Sequence, residues 1–226
     1  GNLLDHLLLT MKKVEEFYTN EYVVSLPVLK LGALLHDIGK PDCYSEEKDG
    51  TIHFYGHEEK GVELLDSIRK QVNLSNDEFK VLQSLLRYHM RPHLLAREKN
   101  LTNKAIWRLV RDGGEESPAI FLLAYADALA SGGKGSKEVW ELLKRGIEIW
   151  NEMRQPKFKP LLTGDDLIEI GFKPGPIFRE ILEQVEEARI EGELHTTEEA
   201  LKFVKRFNLK RFNLKRFNLK ENFYEN

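Results

Sequence analysis

The sequence predicts an all-α protein built from two parts. Apolar residues recur at helical spacing along nearly the whole chain, and strand-like alternation is confined to residues 51–55. The chain has 226 residues, of which 41% are hydrophobic. This is enough for one sizeable core and a smaller appendage. We therefore expect a helical bundle followed by a smaller helical domain.

Two helices of different character open the chain. Residues 3–18 carry one apolar stripe, and His6 lies on the flank of this stripe, half turned toward the interior. Residues 27–38 are apolar nearly all round, which is typical of a helix in a central position. A glycine and a proline follow and are expected to end this helix, which leaves His36 and Asp37 in its last turn.

The other helices of the main part are indicated by caps and by apolar periodicity. One begins near His57, and the next begins at a capping box at Ser75, continues to His89 and is expected to end before Pro92. A later helix of the main part carries Asp127 within a stretch of otherwise small and apolar residues, so we expect this carboxylate to be buried. Further helices are predicted at residues 102–111, 118–130 and 137–154.

Changes in composition divide the chain into segments. Residues 155–160 contain two prolines and alternating lysines, which is typical of a linker. Beyond it, cap and proline signals predict a short helix after Thr163, a longer one opened by the prolines at 174 and 176, and a third capped at Thr196. We therefore predict a main domain at 1–154, a linker at 155–160, a small helical domain at 161–204 and a tail at 205–226.

The tail repeats one pentapeptide, Lys-Arg-Phe-Asn-Leu, three times without change at 205–219. A period of five matches neither a helix face nor a strand face. Interleaved basic and aromatic residues are compatible with RNA binding. We favour instead an extension without dedicated chemistry, whose aromatic side chains pack on the body or on a neighbouring subunit of a homo-oligomer.

Charge and cysteine content bear on the partners and the cellular compartment expected for the protein. The formal net charge is −3, so global charge neither favours nor excludes a nucleic-acid partner. The single cysteine, Cys43, excludes an internal disulfide framework and fits a reducing compartment. Because no apolar run approaches the roughly 20 residues of a membrane span, we expect a cytoplasmic protein without a membrane partner.

Three separate polar features on helices point to one metal site. They are His6 on a half-buried helix flank, the His36-Asp37 pair at a helix end, and Asp127 within an apolar helix. Imidazole and carboxylate ligands without cysteine favour Mn, Fe, Co, Ni or Zn over Mg. Hydrogen-bonded structural pairs are the alternative. We interpret His53, His93 and His195 as ordinary solvated or core histidines.

In this order, with helices between them, these residues resemble the H…HD…D signature of the HD superfamily of metal-dependent phosphohydrolases. The resemblance implies that His6, His36, Asp37 and Asp127 bind one divalent ion. It also implies that two further histidines bind a second ion and that Asp37 is catalytic and bridges both ions. The two further histidines are His57 and His89. Lys40, three residues after Asp37, is placed to meet a phosphate oxygen, with a solvated lysine past a helix end as the alternative.

A second resemblance covers about residues 1–205. The segments 54–58 and 161–167, with Pro174-Gly175-Pro176 and Glu191-Gly192-Glu193-Leu194, are similar to the C-terminal half of bacterial tRNA nucleotidyltransferases and poly(A) polymerases. Members of that family carry a polymerase head with a Gly-Ser motif and paired aspartates, which these residues do not supply. We therefore expect no nucleotide addition by this chain alone.

Two classes of function remain from the sequence. The first is a phosphodiesterase or phosphatase that acts on nucleotides or RNA 3′ ends, for example on 2′,3′-cyclic phosphates. The second is an RNA- or tRNA-binding accessory module without catalysis of its own. Its support is a basic helix face on which Trp107 could stack a base. The basic residues are Lys104, Arg108 and Arg111, for which a merely solvated face is the alternative.

Overall fold

The computed structural model describes residues 2–20, 22–155 and 159–211. It confirms the all-α prediction. The described residues form two compact units, one containing the residues up to Leu101 and Ala105–Arg154, the other containing Thr102–Lys104 and the residues from Gln155 onward. No helix among these residues is long and apolar enough to cross a lipid bilayer.

The first unit is a helical bundle with one small hairpin. Its hairpin pairs strand β1, Ser45–Glu46, with strand β2, Ile52–His53, in antiparallel register. A short 3-10 turn, Lys40–Cys43, precedes this hairpin. The helices are α1 Leu3–Phe17, α2 Leu26–Leu35, α3 His57–Val72, α4 Asn76–Tyr88, α5 Met90–Ala96, α6 Asn103–Gly113, α7 Ser117–Ala130 and α8 Ser136–Met153.

Helices α2 and α7 occupy the centre of this unit, as their apolar composition predicts. Leu29 and Ala33 of α2 are fully buried, and Phe121 of α7 is fully buried as well. Gly32 lets α2 approach α4 closely, because a Cβ at this position would lie 2.6 Å from Leu85 Cδ1. This central layer carries the polar residues at the end of α2 and near the end of α7.

Side-chain caps mark where α1 and α4 begin. The Asn2 side chain accepts a hydrogen bond from the Asp5 amide at the start of α1, at 2.8 Å. At the start of α4, Ser75 and Glu78 form the predicted capping box, in which each side chain accepts from the other residue's amide. The caps satisfy backbone amides that have no partner inside the helix.

The predicted end of α4 at His89 agrees with the structure within one residue, but the helix that follows was not predicted. Helical structure resumes at once in α5, and the buried Pro92 lies inside it. A proline is tolerated in the first turn of a helix because the amides there have no intrahelical partner. The consequence is that His93 belongs to a helix of the bundle.

The second unit has its own core. Its helices are α9 Gly164–Glu169, α10 Pro176–Ile190 and α11 Thr197–Arg211. Leu167, Val185 and Ala200, one from each helix, are buried together. The 197–211 helix includes the first copy of the repeated pentapeptide, while the rest of the tail, residues 212–226, lies outside the described residues.

Candidate metal centre

The bundle brings together side chains from five helices or helix ends. His6 comes from α1, His36 and Asp37 follow α2, His57 is the first residue of α3, and Asp127 lies on α7. The remaining member, His89, lies between α4 and α5. All six residues that were predicted as metal ligands therefore occupy one cluster.

The two oxygens of Asp37 face two different sets of histidines. Its Oδ2 lies 3.7 Å from His6 Nε2 and 3.3 Å from His36 Nε2. Its Oδ1 lies 3.4 Å from His57 Nε2 and 3.6 Å from His89 Nε2. The cluster thus contains two groups that could each hold a metal ion, with Asp37 common to both.

Asp127 completes the first of these groups. Its Oδ1 lies 3.1 Å from His6 Nε2 and 3.8 Å from His36 Nε2. The His6 and Asp127 side chains are 19% and 13% exposed, whereas those of His36 and Asp37 are 0% and 1% exposed. The cluster is therefore closed at its base and accessible on the side of His6 and Asp127.

Local backbone contacts orient three of the imidazoles in the same way. Their Nδ1 atoms lie 2.8–2.9 Å from the carbonyl oxygen three residues earlier, and these pairs are His36 with Ala33, His57 with Phe54 and His89 with Leu86. Since a carbonyl oxygen only accepts, each Nδ1 carries the donated hydrogen. The Nε2 atoms are thereby directed at the cluster, which is the orientation that a carbonyl partner gives to metal-binding histidines.

The inward atoms of the cluster lack ordinary hydrogen-bond partners. His36 Nε2 and Asp37 Oδ1 are buried without a hydrogen bond, and His57 Nε2 lies 3.2 Å from His89 Nε2. Ligand atoms about 2.1 Å from one ion are separated by about 3.0–3.4 Å in octahedral or tetrahedral geometry. The donor set and its spacing therefore fit a divalent cation.

The directions of the pKa shifts indicate that the carboxylates of the cluster need a compensating positive charge. Burial acts to raise the pKa of Asp37, but contacts with His36, His57 and His89 outweigh it and hold that pKa well below its usual range. The pKa of Asp127 is lowered against burial in the same way, by three imidazoles. Burial lowers the pKa of His36, yet the two carboxylates raise it overall to about 10. Ionised carboxylates here are compensated by protons or by metal.

Gly39 determines how closely the His36-Asp37 turn approaches α3. A Cβ at this position would lie 2.1 Å from the carbonyl oxygen of His57 and 2.7 Å from the amide nitrogen of Gly61. Its φ of −76° is one that any residue can adopt. The glycine is needed for this backbone contact, which places Asp37 next to His57, and not for a left-handed helix end.

Lys40 lies at the edge of the cluster. Its Nζ donates to Asp37 Oδ2 at 2.5 Å and lies 5.7 Å from the centre of the Phe54 ring. The side chain is 29% exposed. The ammonium group therefore contacts the Asp37 carboxylate on one side and is open to solvent on the other.

The sequence analysis missed one residue, His93. It was interpreted as an ordinary histidine, but its Nε2 lies 2.9 Å from Asp127 Oδ2. The available signal was its position four residues after His89, which would share a face with it on a continuous helix. His53 instead pairs with Glu47 on the hairpin, and His195 is exposed in the second unit.

Of the three residues predicted to contact nucleic acid, Lys104 and Arg111 form ion pairs with residues outside the metal cluster. Lys104 Nζ pairs with Glu187 Oε2 at 2.8 Å, and Arg111 donates to Asp112 at 2.8 Å. Trp107 is only 4% exposed, and the Arg111 guanidinium covers it at 5.1 Å. The remaining residue, Arg108, is exposed. An RNA-binding role for this face stays a prediction.

Comparison with known proteins identifies the family. The family model described as "HD domain" matches residues 3–132, which includes the whole cluster. The chain is similar to an A-adding tRNA nucleotidyltransferase of Deinococcus radiodurans, 31% identical over 80% of this chain and 42% of that protein. It is also similar to a CC-adding tRNA nucleotidyltransferase of Thermus thermophilus, 30% identical over 77% of this chain and 39% of that protein.

The chain thus spans about two fifths of the length of these two curated relatives. In the matched region, the cluster of four histidines and two aspartates is the feature with the chemistry of a metal site. The chain belongs to the HD domain family.

Proposed function

We propose that this protein is a divalent-metal-dependent phosphohydrolase that acts on nucleotides or RNA 3′ ends, for example on 2′,3′-cyclic phosphates. The observation that carries the proposal is the position of Asp37, whose two oxygens face separate pairs of histidine Nε2 atoms at 3.3–3.7 Å. One carboxylate between two such sites is typical of binuclear hydrolytic centres. The relatives named for tRNA ends support RNA as the substrate class.

The residues of the cluster have distinct roles in this proposal. His6, His36 and Asp127 hold one ion, His57 and His89 hold the other, and Asp37 binds both. Imidazole and carboxylate donors favour Mn, Ni, Co, Fe or Zn over Mg. When bound, such ions supply Lewis acidity toward a phosphoryl oxygen and lower the pKa of water from about 16 to about 7.

The protein itself contributes positioning and charge. The exposed edges of His6 and Asp127 give a phosphate group access to the cluster. The Lys40 ammonium, held by Asp37, lies where it can turn to a phosphoryl oxygen and stabilise its negative charge. The closed base around His36 and His89 excludes water from the other side.

The test combines metal analysis with hydrolysis. Purified protein is expected to contain stoichiometric transition metal and to hydrolyse bis(p-nitrophenyl) phosphate and nucleoside 2′,3′-cyclic phosphates. Asp37→Asn should abolish both properties and leave the helical circular dichroism unchanged. Asp66→Asn, at an exposed carboxylate outside the cluster, is the matched control. Metal-free protein that stays inert after addition of Mn²⁺, Ni²⁺ or Co²⁺ would falsify the proposal.

Binding to RNA without catalysis is the second candidate function. It is favoured by the names of the relatives and by the exposed Arg108. This candidate predicts tRNA binding by the inert, metal-free chain, and binding that weakens in an Arg108→Gln variant. The hydrolysis assays above separate the two candidates.

A further inference from the structure

A cavity of about 720 Å³ lies beside His93, the residue whose Nε2 is 2.9 Å from Asp127 Oδ2. Its lining includes His93 of α5, Arg97 just after α5, Lys134 just before α8 and Glu138 within α8. Its volume lies within the range of about 300–1,000 Å³ that small-molecule sites occupy. None of these residues has been given a role in the proposed function.

His93 connects this cavity to the candidate metal centre. Its ring lines the cavity while its Nε2 contacts Asp127 Oδ2 at 2.9 Å. Asp127 and His6 are the more exposed members of the cluster. The cavity and the cluster therefore share His93 as a neighbour, which brings the cavity within one side chain of Asp127.

The charges of the lining favour an anion. Arg97 and Lys134 are exposed and form no ion pair with any residue in the described part of the chain, and they outnumber the one carboxylate, Glu138. A guanidinium and an ammonium in the lining of one cavity are suited to hold a phosphate through charge-assisted hydrogen bonds.

We propose that this cavity binds the nucleotide next to the reacting phosphate, with Arg97 and Lys134 holding its second phosphate group. The inference rests on the proposed function and names a substrate class for it, a nucleotide unit that carries two phosphates. That unit is either a nucleoside bisphosphate or the last residue of an RNA strand ending in a phosphate. Both share the chemistry that the cavity recognises.

Binding to metal-free protein tests the cavity without catalysis. In isothermal titration calorimetry, adenosine 3′,5′-bisphosphate should bind about tenfold more tightly than adenosine, since a phosphate held by Arg97 and Lys134 adds a charged contact. Arg97→Gln and Lys134→Gln should each remove this difference. Lys137→Gln takes one charge from an exposed lysine that does not line the cavity, and should preserve it.

The two substrate sources are separated by a third ligand, a single-stranded tetranucleotide ending in a 3′-phosphate. A loss of its affinity in Arg97→Gln and Lys134→Gln supports an RNA end. Cavity-dependent binding of the bisphosphate alone supports a free nucleotide. Equal affinities of the two adenosine ligands, or equal losses in Lys137→Gln, overturn the inference.

Failure of the proposed function gives a different result. Bis(p-nitrophenyl) phosphate has no second phosphate, so its hydrolysis does not depend on the cavity. An inert protein whose bisphosphate binding still requires Arg97 and Lys134 refutes the hydrolase alone. An active hydrolase with no such requirement refutes the cavity alone.

Discussion

His93 Nε2 lies 2.9 Å from Asp127 Oδ2, the oxygen of this carboxylate that does not face His6. The contact is close, although His93 Nε2 forms no hydrogen bond of ordinary geometry, and it leaves Oδ1 as the oxygen that faces His6 and His36. Outer contacts of this kind commonly change metal affinity when they are removed.

Replacement of His93 should weaken metal binding without unfolding the protein. We expect His93→Ala to reduce affinity for the ion held by His6 and Asp127 by about 10–100-fold, measured by competition with a chromophoric chelator. His195→Ala, at an exposed histidine of the second unit, is the control. Unchanged affinity in His93→Ala would show that Asp127 needs no such support.

Because the two oxygens of Asp37 face different histidines, we expect two metal ions that can be removed separately. His57→Ala removes a donor from the Oδ1 side, and His6→Ala removes one from the Oδ2 side. Each variant should lose about one equivalent by plasma mass spectrometry, whereas Asp37→Asn should lose both. An unchanged metal content in His57→Ala would contradict this prediction.

Removal of the Lys40 charge should affect turnover more than metal content. We expect Lys40→Met to lower kcat by about 100-fold, as loss of one charge-stabilising donor commonly does, with metal stoichiometry retained. Lys48→Met, at an exposed lysine of the hairpin loop, is the control. Equal kcat values in Lys40→Met and wild-type protein would show that Lys40 contacts Asp37 without contributing to turnover.

A methyl group at Gly39 should separate the His36-Asp37 turn from α3. Because the added Cβ would meet backbone atoms and not a movable side chain, Gly39→Ala is expected to cost at least about 2–3 kcal/mol of unfolding free energy. Gly175→Ala is the control, since only one atom, at 4.0 Å, lies near that position. Urea denaturation of both variants makes the comparison, and similar stability would contradict it.

Asp112 gives a prediction for stability against pH. Burial acts to raise its pKa, but hydrogen bonds from Arg91 and Arg111 lower it overall. The folded pKa is thus below the unfolded value of about 3.9, so the stabilisation is present above about pH 4 and is lost as pH falls through the folded pKa.

Asp112→Asn should therefore lower unfolding free energy at pH 7 by at most about 1 kcal/mol, because the group is partly exposed and screened by solvent. The difference from wild type should shrink below about pH 4, as followed by urea denaturation at pH 7 and pH 3. A difference that is constant between these pH values would refute the assignment.

Part of the site could be predicted from sequence because His6, His36, Asp37 and Asp127 are local anomalies, whereas His57 and His89 were predicted only from the family resemblance. His36 and Asp37 end an apolar helix, and Asp127 interrupts another, so pattern alone singled them out. His93 carried no such mark, since Pro92 was taken as a helix end and the polar pattern of residues 89–97 resembles a surface segment. Its role depends on a contact across the bundle, which periodicity does not encode.

The role of Gly39 was likewise only half predictable. The sequence marks a helix end there, and α2 does end nearby, at Leu35. The approach of its Cα to the His57 carbonyl involves residues 18 positions apart, and no local rule connects them. The cavity beside His93 is non-local in the same sense, because α5 and the start of α8 form it together.

The carbonyl partners of the three oriented imidazoles have a consequence for variation of this site. The oxygens that set the tautomers of His36, His57 and His89 belong to the backbone at the third residue before each. Substitutions of the side chains at those three places leave the oxygens where they are as long as the turn persists. The directions of these three Nε2 lone pairs therefore depend on the helical turn and not on the side chains at residues 33, 54 and 86, whose substitution is limited instead by packing, since Ala33 and Leu86 are fully buried.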